Sequence, residues 1–340
     1  MSPEAQAGKQ PTPALLFDTT NAYQRTQAIK TAIELSLFTV IAEGKTTVTT
    51  IAEACAASER GIRILCDFLV INGFLTKDGA EYGLTPDSAM FLDKNSPAYM
   101  GTITDFVLSP YLMDNFNYLT ETVKTGTSAG KNKALDPDHP MWVKFARGMA
   151  PMMAMPAQLL AQLADPAKNQ KLRVLDIAAG HGLYGIAFAK QNPQAEVTAL
   201  DWANVLEVAK ENAQAAGVAD RYHLNPGSAF DVDYGKDYDI VLLPNFLHHF
   251  DVATCETLLR KVHSSLAADG RAVTLEFVPN DDRVTPPQAA AFSMMMLGST
   301  PSGDAYTFAE LDQMLRNAGF ARNEMHELPP SIQRVVISHK

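Results

Sequence analysis

Cysteine is scarce in this chain: Cys55, Cys66 and Cys255 are the three in 340 residues, and their spacing is not that of metal ligands. An odd, dispersed count excludes a disulfide framework and points to reduced thiols, as in the cytoplasm. Long apolar runs are missing too, none reaching the roughly 20 residues of a membrane span. The stretch Met1–Pro13 is polar and proline-bearing and lacks the apolar core of a secretory signal. Positive charge is in deficit, with 28 Lys and Arg against 38 Asp and Glu and a formal net charge of −10. That balance opposes extended contact with nucleic-acid phosphates or anionic lipid. The expectation is a soluble cytoplasmic protein with a small-molecule substrate, no nucleic acid and no membrane. Hydrophobic side chains are plentiful, at 46%, enough for a large core in two domains.

The chain is organised around the stretch from Lys171 to Ile186. Arg173 to Ile177 reads as a buried parallel strand and Tyr184 to Gln191 as a helix, with a glycine-rich turn between them. Gly180 and Gly182 let a ligand approach the main chain at a helix start, where free N–H groups point outward. With Gly185 they satisfy G-x-G-x-x-G, a pattern shared with nicotinamide dinucleotide sites. Asp176 argues against a dinucleotide, because an acid four residues before the first glycine repels a pyrophosphate. It suits S-adenosyl-L-methionine, which carries a sulfonium and an ammonium and no phosphate. His181 reads as a turn residue. Asp176-Ile177-Ala178-Ala179-Gly180-His181-Gly182 resembles motif I of the class I methyltransferases. The resemblance implies a Rossmann-like α/β sheet, with S-adenosyl-L-methionine as cofactor and S-adenosyl-L-homocysteine as its product.

Ahead of this motif, apolar positions at helical spacing predict one amphipathic helix within Ala14–Glu43, ending at Gly44, then a short helix over Val48–Ala54. Ser58 is the N-cap of a third helix closing at Asn72-Gly73. Phe74-Leu75-Thr76 and Glu81-Tyr82-Gly83-Leu84 flank Asp78-Gly79, a hairpin signal. This is a winged-helix pattern. Residues 1–100 hold eight Lys and Arg against eleven Asp and Glu, and a DNA reader needs the opposite balance. A packing and dimerisation module is the better reading. Ala-Ile-Glu-Leu-Ser-Leu-Phe (32–38), Leu-Thr-Lys-Asp-Gly (75–79) and Tyr-Gly-Leu-Thr-Pro (82–86) resemble the N-terminal domain of caffeate and acetylserotonin type O-methyltransferases. The resemblance implies an intertwined homodimer.

Residues 101–165 read as a helical connection that Pro110, Pro137, Pro140, Pro151 and Pro156 divide into short pieces. Its methionines and aromatics suit either a core or a pocket around a flat ring. Phe145-Ala146-Arg147-Gly148-Met149 resembles the family's F-x-x-x-M stretch, which makes Met149 a pocket residue, with Trp142 and Phe145 beside it. Met296, on the segment before Gly298, is the second ring-flanking methionine by the same resemblance. Residues 166–340 are expected to be the cofactor-binding catalytic domain, the terminal hairpin of Glu324–Leu328 and Gln333–Ser338 giving its sheet an antiparallel strand.

Asp201 stands 21 residues after Gly180, at the end of the strand Glu196–Leu200, where a carboxylate bridges ribose hydroxyls. Trp202 follows it, placed to pack on adenine or to serve the core. Gly227-Ser228-Ala229-Phe230 resembles the family's G-D-M-F segment at the adenine edge, with Ser228 replacing the acid and Ala229 the methionine. Pro244, closing the strand Asp239–Leu243, is counted with the cofactor site. It stands where the family has a lysine.

Leu247-His248-His249-Phe250-Asp251 follows that strand, so it faces the same cleft as the glycine turn. Moving a methyl from a sulfonium to a hydroxyl needs alignment and removal of the acceptor's proton, a task matched to a histidine of pKa about 6.5. The segment resembles the family's L-H-D-W-x-D, which makes His248 the general base. Glu276, ending the strand Arg271–Phe277, would then hold the useful tautomer. The family's second glutamate is replaced by Ala305, two residues before Thr307, with Asp304 pointing elsewhere. The reading is O-methylation of a small aromatic or polyketide-like acceptor by a homodimer, without metal. C- or N-methylation, or a cofactor-binding winged-helix regulator, stand as alternatives.

Overall fold

A computed structural model describes residues 10–130, 139–165 and 170–340 of the chain. They divide after Gly101 into two compact units.

The first unit runs α1 (Ala14–Thr20), α2 (Ala22–Glu34), α3 (Leu37–Ala42), α4 (Val48–Ala54), α5 (Glu59–Ile71), β1 (Leu75–Asp78), β2 (Glu81–Leu84) and α6 (Pro86–Phe91). The one helix expected between Ala14 and Gly44 is therefore three. Asn21 breaks it by donating its side-chain amide to the Phe17 carbonyl at 2.8 Å, and Ser36 turns left-handed at φ 55°. Short polar side chains offer the backbone such alternatives to a continuous helix. The apolar spacing survives the second break because Ile33, Leu37, Phe38 and Ile41 meet in one core with Ile51, Ile62, Leu69 and Tyr82. Ser58 caps α5 by accepting the Gly61 N–H at 3.1 Å. In the hairpin Asp78 pairs with Glu81, so the turn is Gly79-Ala80 and not Asp78-Gly79.

The second unit opens with α7 (Thr104–Val107), α8 (Pro110–Phe116), α9 (Leu119–Thr125) and α10 (Pro140–Ala164). Here the proline reading is corrected. Pro110 and Pro140 begin helices, whereas Pro151 and Pro156 lie inside the continuous α10; Pro137 lies outside the described residues. Each internal proline costs about 3 kcal/mol. Burial of Met153, Pro156, Ala157, Leu160 and Ala161 along the same helix offsets it.

Then follow β3 (Leu172–Ile177), α11 (Leu183–Gln191), β4 (Ala195–Asp201), α12 (Ala203–Ala215), β5 (Tyr222–Pro226), β6 (Tyr238–Pro244), α13 (Val252–Ser265), β7 (Leu266–Glu276), α14 (Pro287–Ser299), α15 (Phe308–Asn317), β8 (Arg322–Glu327) and β9 (Arg334–His339). Seven strands form one sheet in the order β5-β4-β3-β6-β7-β9-β8. β3 to β7 pair in parallel, and β9 is antiparallel to both β7 and β8. Successive side chains alternate between faces. Val174, Ile240, Leu242 and Val273 join the core under α10 to α12, while Leu175, Val241, Leu243 and Ala272 join the one under α13 and α15. Strand order reverses between β3 and β6, so the crevice beyond their carboxyl ends is where this architecture receives ligands.

Candidate active site

The bend after β3 is held open from beneath. Gly182 has φ 76°, and a β-carbon there would lie 2.6 Å from the Tyr222 hydroxyl and 2.8 Å from the Ala209 β-carbon. Gly180, at φ 57°, faces space: the nearest atom to a β-carbon there is the Ala178 carbonyl at 3.8 Å. His181 is buried, and its Nδ1 accepts the Leu183 N–H at 3.1 Å. Burial lowers its pKa to about 4, so it is a neutral acceptor at the start of α11.

Asp176 has no solvent exposure. One oxygen accepts the Gly185 N–H at 2.9 Å, and the other has no hydrogen-bond partner among the described residues. Burial raises its pKa to about 7, against the Gly185 bond and with help from Asp201. The carboxylate thus sits beneath the bend and fastens α11 to β3, where the sequence pattern predicts an acid facing a cationic ligand. Asp201 accepts the Gly180 N–H at 2.8 Å and the Trp202 N–H at 2.7 Å, and burial lifts its pKa to about 6. Each of its oxygens keeps a second lone pair.

Phe230 is exposed in the turn after β5 and meets Phe250 edge-on at 5.1 Å. Ser228 accepts the Phe230 N–H at 3.1 Å, and Ala229 is buried beside it. Trp202 packs with Trp142, Ala146, Val205 and Val208 in a small separate cluster. Phe145 meets Phe106 edge-on at 4.7 Å. Met149 packs against the core under α10, while Met296 is buried on α14. Among the described residues the two methionines share no hydrophobic cluster.

At the end of β6 the geometry is tight. Pro244 pairs with Leu275 of β7, and His248 lies in a single helical turn, Leu247–His249. Glu276 Oε1 accepts the backbone N–H groups of Phe246 at 3.0 Å, Leu247 at 2.9 Å and His248 at 3.4 Å. Its Oε2 stands 2.6 Å from His248 Nδ1. Both side chains are buried. With Nδ1–H donated to the carboxylate, Nε2 is left as an acceptor. The His249 ring lies 4.3 Å from that of His248; burial, then the neighbouring imidazole, hold it far below its usual pKa. Ala305 is buried and Asp304 pairs with Arg283 at 3.3 Å. Among the described residues no group of three His, Cys, Asp or Glu is arranged to hold a metal, and no helix is long and apolar enough to cross a membrane.

Tyr184 and Asn245, which no motif marks, meet side chain to side chain at 3.3 Å between the bend and the histidine turn. The available signal was a polar residue between a buried strand and the histidine.

The open face at Gly180 and the spare lone pairs of Asp201 fit a nucleoside with free ribose hydroxyls, and the acids at the bend, Asp176 and Asp201, do not complement a phosphate. Sheet order and bend define the class, an S-adenosyl-L-methionine dependent methyltransferase. A family model of the O-methyltransferase domain matches residues 116–321, and one of the O-methyltransferase dimerisation domain matches residues 17–94. The chain belongs to the O-methyltransferase family. A Nostoc punctiforme chain assigned as an O-methyltransferase is 56% identical, with a TM-score of 0.93 over 98% of this chain and 100% of its own. The 3-hydroxy-5-methyl-1-naphthoate 3-O-methyltransferase of Streptomyces sahachiroi is 29% identical over 90% of this chain and 89% of its own. Human N-acetylserotonin methyltransferase, solved in complex with SAM, shares 19% identity and the fold, with a TM-score of 0.85 over 98% and 99%.

Proposed function

We propose that His248 is the general base of this O-methyltransferase, oriented by Glu276, and that the acceptor is a hydroxyl on a small aromatic or polyketide-like molecule. The observation that carries the reading is the 2.6 Å contact between His248 Nδ1 and Glu276 Oε2. It leaves Nε2 to take the acceptor's proton, and the nearby carboxylate stabilises the imidazolium that results. The bound cofactor supplies a methyl on a sulfonium, with a neutral thioether as leaving group. Asp176, Gly180, Gly182, Asp201, Trp202, Ser228, Ala229, Phe230 and Pro244 are assigned to holding it. Trp142, Phe145, Met149 and Met296 are assigned to the acceptor side. Residues 1–100, 101–165 and 166–340 are read as dimerisation domain, pocket-forming connection and catalytic domain.

A cytoplasmic homodimer is part of the same reading. The cysteines are free, in keeping with a reducing compartment. α1 exposes Leu15, Leu16 and Phe17, and a groove of about 390 Å³ between α2 and α5 is lined by the apolar Ala28, Ile64, Leu65 and Phe68 together with Gln24, Arg60 and Gly61. The functional test is incubation with methyl-labelled S-adenosyl-L-methionine and a panel of hydroxylated aromatic and polyketide compounds. Label on a product oxygen is expected; label on carbon or nitrogen would replace the reading with C- or N-methylation.

A further inference from the structure

Asn245 is the first residue beyond β6, and its backbone takes φ 56°, a left-handed conformation that asparagine adopts more readily than most residues. Its N–H donates to the Leu275 carbonyl at 2.8 Å, so pairing with β7 continues through it. The side chain reaches the other way. Nδ2 donates to the Tyr184 hydroxyl at 3.3 Å and lies 4.0 Å from Met153 Sδ, while Oδ1 accepts from Gln333 Nε2. Tyr184 donates its own hydroxyl to Met153 Sδ at 3.2 Å. Tyr184, Met153 and Gln333 are buried.

The two ends of this network matter. Tyr184 is the second residue of α11, immediately past the glycine bend, and Asn245 stands three residues before His248. One amide therefore spans the bend and the histidine turn. Glu276 secures the same turn from β7. Glycine would satisfy this backbone with less strain, so the amide is what asparagine adds.

We propose that Asn245 is a positioning residue for methyl transfer, its side-chain amide holding the His248 turn in register with the glycine-bend helix through Tyr184. The proposal rests on the reading of His248 as base. In-line displacement depends on alignment, and a misplacement of about 1 Å costs about a hundredfold in rate.

The test uses the full chain with Asn245→Gly, which keeps the left-handed backbone and deletes the amide, Tyr184→Phe, which deletes the hydroxyl, and the double variant. Without ligand, amide exchange at Phe246, Leu247 and His248 is expected to rise about tenfold in each single variant, with the interiors of β3 and β6 unchanged. With S-adenosyl-L-methionine and the acceptor found by the label screen at saturation, kcat is expected to fall about ten- to a hundredfold, the KM for the cofactor staying within about threefold. The loss in the double variant is expected to fall well short of the product of the single losses, because the Tyr184–Asn245 bond is counted in both, while the bonds to Gln333 and Met153 belong to one variant each. Unchanged exchange in the turn, or losses that multiply, overturns the proposal. A lower melting temperature with exchange and kcat intact overturns it as well, leaving Asn245 to stability alone. Tyr184→Phe carries the test if Asn245→Gly does not fold. His248→Ala, assayed alongside, keeps the two ideas apart: full turnover there removes the base, while the exchange result judges Asn245 independently.

Discussion

Burial governs how Asp176 titrates. Between its ordinary 3.8 and about 7 the folded chain keeps a proton that the unfolded chain has lost. Its contribution therefore favours the folded state below that window and is lost as pH rises through it. Asp201, lifted to about 6, acts in the same direction. Thermal unfolding of the ligand-free protein should show a lower midpoint at pH 8 than at pH 5, and Asp176→Asn should shrink that difference. An undiminished difference in the variant would assign the pH dependence to other groups. At this scale the glycine bend and the histidine segment were legible, because their residue types are unusual beside a buried strand. The Tyr184–Asn245–Gln333 network was not, since it joins three segments far apart in sequence and none of those residues is uncommon in its place.

Elements were legible where local chemistry decides them. Ser58 caps α5 as its sequence predicts, and the same local chemistry acts at α15, where the Thr307 hydroxyl accepts the Glu310 N–H at 3.3 Å and the Glu310 carboxylate accepts the Thr307 N–H at 2.9 Å. Thr307 is nearly inaccessible, and α15 carries Leu311, Met314 and Leu315 into the core. Thr307→Ala should cost about 1 kcal/mol in denaturant unfolding; no loss would mean that packing alone sets the helix start. Elements were misread where tertiary packing overrides local preference. Two prolines inside α10 are tolerated because its buried face is extensive. The apolar period around Ser36 continued across a break that only the backbone angle reveals.

For the whole molecule, the resemblance carried by the glycine bend implied the α/β sheet, and the closing hairpin implied its antiparallel strand, which is β9, between β7 and the edge strand β8. The division after Gly101 separates a small helical core from the large sheet. Light scattering should give twice the chain mass, and Phe17→Asp with Ile64→Asp should give the mass of one chain while leaving the sheet's circular dichroism intact. A monomeric wild type would refute the dimer. Methyl transfer turns on one proton and one imidazole, and His248→Ala tests that role most directly. In single-turnover methyl transfer at saturating S-adenosyl-L-methionine, the account predicts a loss of about a hundredfold or more with cofactor affinity by calorimetry unchanged. Full transfer by the His248→Ala protein would contradict it.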